Sequence, residues 1–208
     1  MRTTDLPEIR RLPLFCSMAT TTFDTLFTHA YVQQFPAGLE LIRQGDRADF
    51  LHVLLEGSVE LYAAWSDRQC MMSEVRPLGS FILAACIRDA TYLMSARPIE
   101  RSRLILVPAD DLRDAFRQDG EFGLSVADDL AGAYRGMVRD AKGLKLRNAR
   151  ERVASYLLRQ SRLAGDAPSY LLPVGKRLLA SYLGMTAENL SRTLRALEED
   201  GIGVSGAR

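Results

Sequence analysis

The rhythm of apolar positions changes twice along this chain. In the first 30 residues Leu12, Phe15, Phe23, Leu26 and Phe27 recur at helix-like spacing. From Tyr31 onward, the short apolar runs "YVQQF", "LELI", "FLHVLL", "SVELYAAW", "CMMSEV", "YLMSA" and "RLILV" alternate with Gly, Pro and Asp breaks, and Gly38, Gly45, Gly57 and Gly79 punctuate them. That texture predicts many short strands joined by turns, a β-sandwich or barrel-like roll, which ends near Val107 and Pro108.

Beyond Pro108 the pattern is helical. "PADDLRDAFRQD" opens with proline and acids, which suit a first helical turn. A stretch from about Glu121 to Leu146 has no proline and predicts a helix of about seven turns. On it Gly123, Leu130, Met137 and Leu144 recur every seven residues, beside a second track of Val126, Ala133 and Asp140 and a third of Ala127, Tyr134 and Ala141. Such a helix packs against a copy of itself or lies buried within one subunit. The first reading makes Val126, Leu130, Ala133, Met137 and Leu144 a dimer seam. "NARERVASYLLRQSRLAG" predicts another amphipathic helix with Val153, Tyr156, Leu157 and Leu158 inward, and "DAPSYLLPVG" a connector with room for short strands.

The last segment, "GKRLLASYLGMTAENLSRTLRALEEDGIG", predicts two helices around a tight turn. Leu178, Leu179 and Leu183 face inward on the first, and Gly184 supplies the positive φ that stops it. Thr186 is a good N-cap for a second helix from Ala187 to about Glu199, and Gly201 suits its C′ position. Leu190, Leu194 and Leu197 form the buried stripe. Glu188, Ser191, Arg192 and Arg195 fall on the other side. An arginine fork matches the O6/N7 edge of guanine, a carboxylate accepts from cytosine N4–H, and serine donates or accepts. Glu188 and Arg192 are four residues apart, so each can orient the other. The same pair also reads as an ordinary surface ion pair on a packing helix. Lys176, Arg177 and Arg195, set to meet phosphates, favour a helix-turn-helix that binds DNA, with Thr186 and Asn189 as supporting residues.

Charge sharpens this picture. Residues 139–208 hold 13 Lys and Arg against 7 Asp and Glu, whereas residues 1–138 hold 14 against 19. A basic end beside an acidic body suggests that the C-terminal part meets a polyanion. Three dispersed cysteines, Cys16, Cys70 and Cys86, make neither a disulfide framework nor a metal site of spaced pairs. No apolar run approaches the roughly 20 residues that span a bilayer, and the N-terminus is a poor signal peptide. A reduced, cytoplasmic protein with no membrane partner is expected. No nucleophile–base pair, phosphate-cradling glycine loop or metal-ligand spacing supports an enzyme.

The segment "KRLLASYLGMTAENLSRTLRALEEDGI" resembles the C-terminal helix-turn-helix of the CRP/FNR family of bacterial transcription regulators, through Leu183, Gly184, Thr186, Glu188, Ser191 and Arg192. "FPAGLELIRQGDRADFLHVLLEGSVELY" looks like the β-roll pattern of the same family, through Pro36, Gly38, Gly45, Asp46, Gly57, Val59, Leu61 and Tyr62. The resemblance implies an α+β architecture: a cyclic-nucleotide-binding-like β-roll sensor (1–118), a long dimerisation helix (119–147) and a helix-turn-helix domain (148–208). It implies a homodimer that binds double-stranded DNA and works with RNA polymerase. The Glu-x-x-Ser-Arg combination looks like the FNR-type reading head, because Ala187 stands where the CRP type has arginine. The implied target resembles TTGAT-N4-ATCAA, with Arg192 on guanine, Glu188 on a base of the opposite strand and Ser191 on thymine. Family members continue past "GIGV" into a β-hairpin wing, so an incomplete wing is expected here.

The effector is less legible. Cyclic-nucleotide binders of the family use Gly-Glu and then Arg-Ser or Arg-Thr, where this chain has Leu83 and Ala84, and then Tyr92 and Leu93. Cyclic AMP is therefore not expected. Nor is an iron–sulfur cluster, which needs four cysteine ligands. The remaining branch resembles the nitric-oxide-responsive DNR/NNR regulators of denitrification, which implies haem. His29, His52, Tyr92 and Cys86 are candidate ligands, and Leu93 and Arg88 are further candidates for the sensor pocket. His52 alternates with Phe50 and Leu54 and reads equally as a core or surface histidine, and Cys86 as a small buried hydrophobe. A competing reading makes the chain a ligand-binding module whose helix pair docks a protein.

Overall fold

A computed structural model of the chain describes residues 6–167 and 169–203. The chain divides into two compact units, Met1–Tyr134 and Arg135–Arg208.

In the first unit, α1 (Leu6–Ile9) and α2 (Thr20–Thr28) precede the strands β1 (Tyr31–Phe35), β2 (Phe50–Glu56), β3 (Val59–Trp65), β4 (Arg68–Val75) and β5 (Gly79–Phe81). A short helix α3 (Leu83–Arg88) follows, then β6 (Ser95–Pro98), β7 (Ser102–Pro108) and α4 (Ala109–Gln118). The strands form two antiparallel sheets, in the orders β1-β7-β2-β5 and β4-β3-β6. The central strands β2 and β7 are buried along most of their length, and α4 packs on both. A sheet covered on both faces needs apolar side chains on both, which is why "FLHVLL" and "RLILV" are continuous rather than alternating. Gly57, at φ +91°, turns β2 into β3. A Cβ there would stand 2.3 Å from Ser102 Oγ, so only glycine fits.

The N-terminal aromatics close this core. Phe15 stacks on Phe122 at 6.0 Å and meets Phe27 edge-on at 5.3 Å. Asp119 accepts from the backbone N–H of Phe122 at 3.1 Å and of Ala19 at 2.8 Å, and the first of these donors does most to hold its carboxyl below the usual range. One carboxylate thereby caps the start of α5 (Gly120–Leu146) and ties it to the start of α2.

Two expected strands differ. "LELI" contributes only an isolated bridge between Ile42 and Ala96, because the turns at Gly38 and Gly45 leave too few residues for a ladder. "YLMSA" is extended only from Ser95, since Tyr92 is held in a loop by backbone bonds to Gly45 and Asp46.

Helix α5 corrects the expected seam. Val126 is 1% exposed and belongs to the hydrophobic core of its own unit, with Leu130 packed against that core. The apolar area of Val126 is already removed from water, so Val126 is not a seam residue, whereas Leu130 is only partly covered. Ala133, Met137 and Leu144 are exposed, as are Leu124, Ala127, Tyr134 and Val138.

The second unit carries the end of α5 and then α6 (Ala149–Leu163), α7 (Lys176–Tyr182) and α8 (Ala187–Glu198). Val153, Tyr156 and Leu157 are buried as expected, but Leu158 is exposed. No strand forms among the described residues of the connector 164–175. The expected wing begins at residues that lie outside the described ones.

Candidate nucleic-acid interface and sensor core

The three helices of the second unit are fixed by local bonds. Asn148 caps α6 in a reciprocal box: its side chain accepts from the Glu151 N–H at 3.0 Å, and the Glu151 carboxylate accepts from the Asn148 N–H at 2.9 Å. Helix α7 is closed by Gly184, at φ +64°, where the N–H of Met185 bonds the carbonyl of Ala180 and that of Gly184 the carbonyl of Ser181. Thr186 then caps α8, accepting from the Asn189 N–H at 3.1 Å. Three residues, Leu183, Gly184 and Met185, thus separate the end of α7 from the next cap.

Leu190, Leu194 and Leu197 bury the inner side of α8 together with Thr193. Glu188, Arg192 and Arg195 are exposed on its outer side, and Ser191 and Asn189 are half-buried. Lys176 is half-buried in the first turn of α7, with Arg177 exposed beside it. The expected mutual orientation of Glu188 and Arg192 is absent: among the described residues, no ion pair joins them. Both end groups are free to meet other donors and acceptors. Arg150, by contrast, is engaged by Asp200 in an ion pair at 2.5 Å.

Sequence reasoning missed a second cluster in this unit. Asp140 of α5, Arg159 of α6 and Tyr182 of α7 converge, with Arg159 Nη2 donating to the Tyr182 hydroxyl at 2.8 Å. The available signal was Asp140 itself, a carboxylate on an otherwise apolar seven-residue track.

In the first unit the sensor candidates separate by burial. His52 is 4% exposed, paired across the ladder with Phe81 and stacked on its ring at 5.2 Å. Its Nδ1 has no hydrogen-bond partner, and burial pushes its pKa down to about 4, so the ring is neutral. Cys86 is fully buried on α3, and burial pushes its thiol up to about 12. Tyr92 is buried with its hydroxyl 3.5 Å from the Phe50 carbonyl, and burial likewise pushes it up to about 12. Three other candidates do not line an interior. Leu93 is 81% exposed, Arg88 is exposed at the end of α3, and His29 is exposed and paired with Asp111 at 2.9 Å. A loop residue that follows Tyr92 turns outward because only Tyr92 is drawn into the core. Among the described residues, no group of three or more His, Cys, Asp and Glu could hold a metal ion, and no helix is long and apolar enough to cross a membrane.

Comparison with known proteins matches both units. Residues 32–119 match the family model of the cyclic nucleotide-binding domain, and residues 151–208 match that of the Crp-like helix-turn-helix domain. Together these two matched domains are those of CRP/FNR-type transcription regulators. The cyclic AMP receptor protein of Thermus thermophilus is 26% identical over 191 residues, which span 91% of this chain and 87% of that protein. The solved structure of FixK2 from Bradyrhizobium japonicum is 28% identical with a TM-score of 0.77, over 86% of this chain and 90% of that one. The sensor domain of the regulator DNR from Pseudomonas aeruginosa shares the fold alone, at 16% identity and a TM-score of 0.57, over 62% of this chain and 91% of that one.

CRP/FNR proteins are regulators rather than enzymes, and helix-turn-helix regulators of this kind bind DNA and typically dimerise. The four residues expected at the nucleotide signature differ in their exposure. Leu83 is buried in the core, Ala84 is exposed, Tyr92 is buried and Leu93 faces solvent. None of the four offers the carboxylate or guanidinium that a ribose hydroxyl and a cyclic phosphate require.

Proposed function

We propose that this CRP/FNR regulator acts in the cytoplasm as a homodimer that reads a palindrome of the TTGAT-N4-ATCAA type. Arg192 addresses guanine, Glu188 a base of the opposite strand and Ser191 a thymine, while Lys176, Arg177 and Arg195 meet phosphates. The observation that carries this reading is the outer side of α8, where Glu188 and Arg192 stand exposed in the first two turns and, among the described residues, form no ion pair with each other. The exposed side chains of Tyr134, Met137, Val138 and Leu144 on α5 supply the apolar contact for a second copy. The test is binding of the palindrome against a scrambled duplex across a range of salt. Preference for the palindrome and a steep loss of affinity with salt support the reading. Equal affinity for both duplexes rejects the site assignment, and salt-insensitive capture of a protein instead would favour the docking alternative.

For the signal, we propose nitric oxide sensed through haem, in control of denitrification and respiratory genes with RNA polymerase as partner. His52 is the candidate whose chemistry suits an iron ligand: it is neutral, and its Nδ1 is orphaned. Cys86 and Tyr92 fit poorly, because burial keeps both protonated. Haem would supply the nitric oxide site, and Phe81 must move to admit it, since the two rings are stacked. Absorption spectra of haem-reconstituted protein, with and without nitric oxide, test this. An identical spectrum from His52→Leu rejects the ligand assignment.

A further inference from the structure

Helices α5, α6 and α7 are joined through one guanidinium. Arg159 Nη2 donates to the Tyr182 hydroxyl at 2.8 Å, and its Nη1 stands 3.8 Å from Asp140 Oδ1. The Tyr182 hydroxyl in turn donates to Asp140 Oδ2 at 3.5 Å. The guanidinium also lies over the rings of Tyr156 and Tyr182, 5.6 and 5.7 Å from their centroids. One residue of α5, two of α6 and the last residue of α7 therefore form a single polar and aromatic knot.

We propose that Asp140, Arg159 and Tyr182 are positioning residues that set the pitch of the reading helix against α5, and so determine which spacing between two half-sites a dimer accepts. The inference rests on the dimeric DNA reading above. In a dimer held through α5, half-site spacing follows from how rigidly each reading helix is attached to that helix. Helix α8 follows α7 after only Leu183, Gly184 and Met185 before its cap, and Leu144 of α5 reaches the same turn. Whatever holds α7 to α5 thereby holds α8. An apolar residue at 140 would pack but leave rotation free. A planar guanidinium with partners on two helices fixes direction. All three side chains are partly exposed, so the knot contributes little to folding and much to orientation. The demand on orientation is strict, because each added base pair turns one half-site by roughly 35° about the duplex.

The test uses the full chain and duplexes that carry one half-site, or two half-sites separated by three, four, five or six base pairs. Wild type is expected to favour one spacing by roughly tenfold or more. Tyr182→Phe, Asp140→Asn and Arg159→Lys are expected to keep the thermal transition and to bind the single half-site within about twofold of wild type. Their affinities across the spacings should flatten. A wild-type spacing profile in all three variants overturns the proposal. So does a uniform loss on every duplex, half-site included, which marks a merely structural role. Failure of the underlying reading looks different: wild type itself would bind two half-sites no better than one.

Discussion

Leu144 and Gly184 are in close approach: a Cβ built on Gly184 would stand 3.1 Å from Leu144 Cδ2. The turn between the two helices of the reading head is thus pressed against the last turn of α5, at a residue whose φ of +64° already favours glycine. Gly184→Ala meets both constraints. The left-handed backbone alone costs about 1–2 kcal/mol, and Leu144 must also give way. Chemical denaturation should show the C-terminal unit destabilised by at least that amount, with palindrome affinity reduced in step. A variant as stable as wild type would mean that the turn relaxes freely.

The proposed base-reading and phosphate-meeting roles on α7 and α8 are separable. Arg192→Ala should relax discrimination at the guanine by roughly 1–3 kcal/mol, measured with duplexes substituted at that base. Arg177→Ala should weaken all duplexes alike and reduce the salt slope by about one. Swapped phenotypes would refute the division of roles.

On α5, two nearby apolar residues should behave oppositely. Val126→Ala opens a cavity in the core of the N-terminal unit and should cost about 2 kcal/mol in unfolding experiments. Met137 is 65% exposed, so Met137→Lys should leave that unit intact while shifting sedimentation from dimer to monomer. A Met137→Lys protein that remains dimeric would exclude this stretch of α5 as the contact.

His52 predicts an acid sensitivity with a definite sign. Its native pKa lies at about 4 against an ordinary value of 6.5. Between those values the unfolded chain binds a proton that the native core refuses. Stability is therefore complete above pH 6.5 and falls as pH drops towards 4, by about 3 kcal/mol in total. His52→Phe should remove this part of the pH dependence. A variant whose stability falls with pH as steeply as wild type would assign the effect to other groups.

The helix pair at the C-terminus was legible because its determinants are local. Thr186 bonds Asn189 three residues on, Met185 bonds Ala180 across the Gly184 turn, and the leucine stripe repeats at helical period. The β-roll was legible in outline for the same reason, since turns and short apolar runs are written in consecutive residues. "LELI" and Leu158 were misread because periodicity does not reveal what lies opposite. Leu158 sits at an inward-looking spacing, yet it is exposed.

By itself, then, the sequence determined the order and type of most elements and the outward placement of Glu188 and Arg192, both of which depend on neighbours within a few residues. Only the tertiary structure decided which track of α5 its own chain covers, which sensor candidates are sealed inside, and that Asp140 has partners. Those outcomes depend on residues distant in sequence: Phe15 reaching Phe122, Phe81 covering His52, and Arg159 drawing together Asp140 and Tyr182. Burial and directional bonding between separate elements arise only when the elements pack, and no period along one segment encodes its partner.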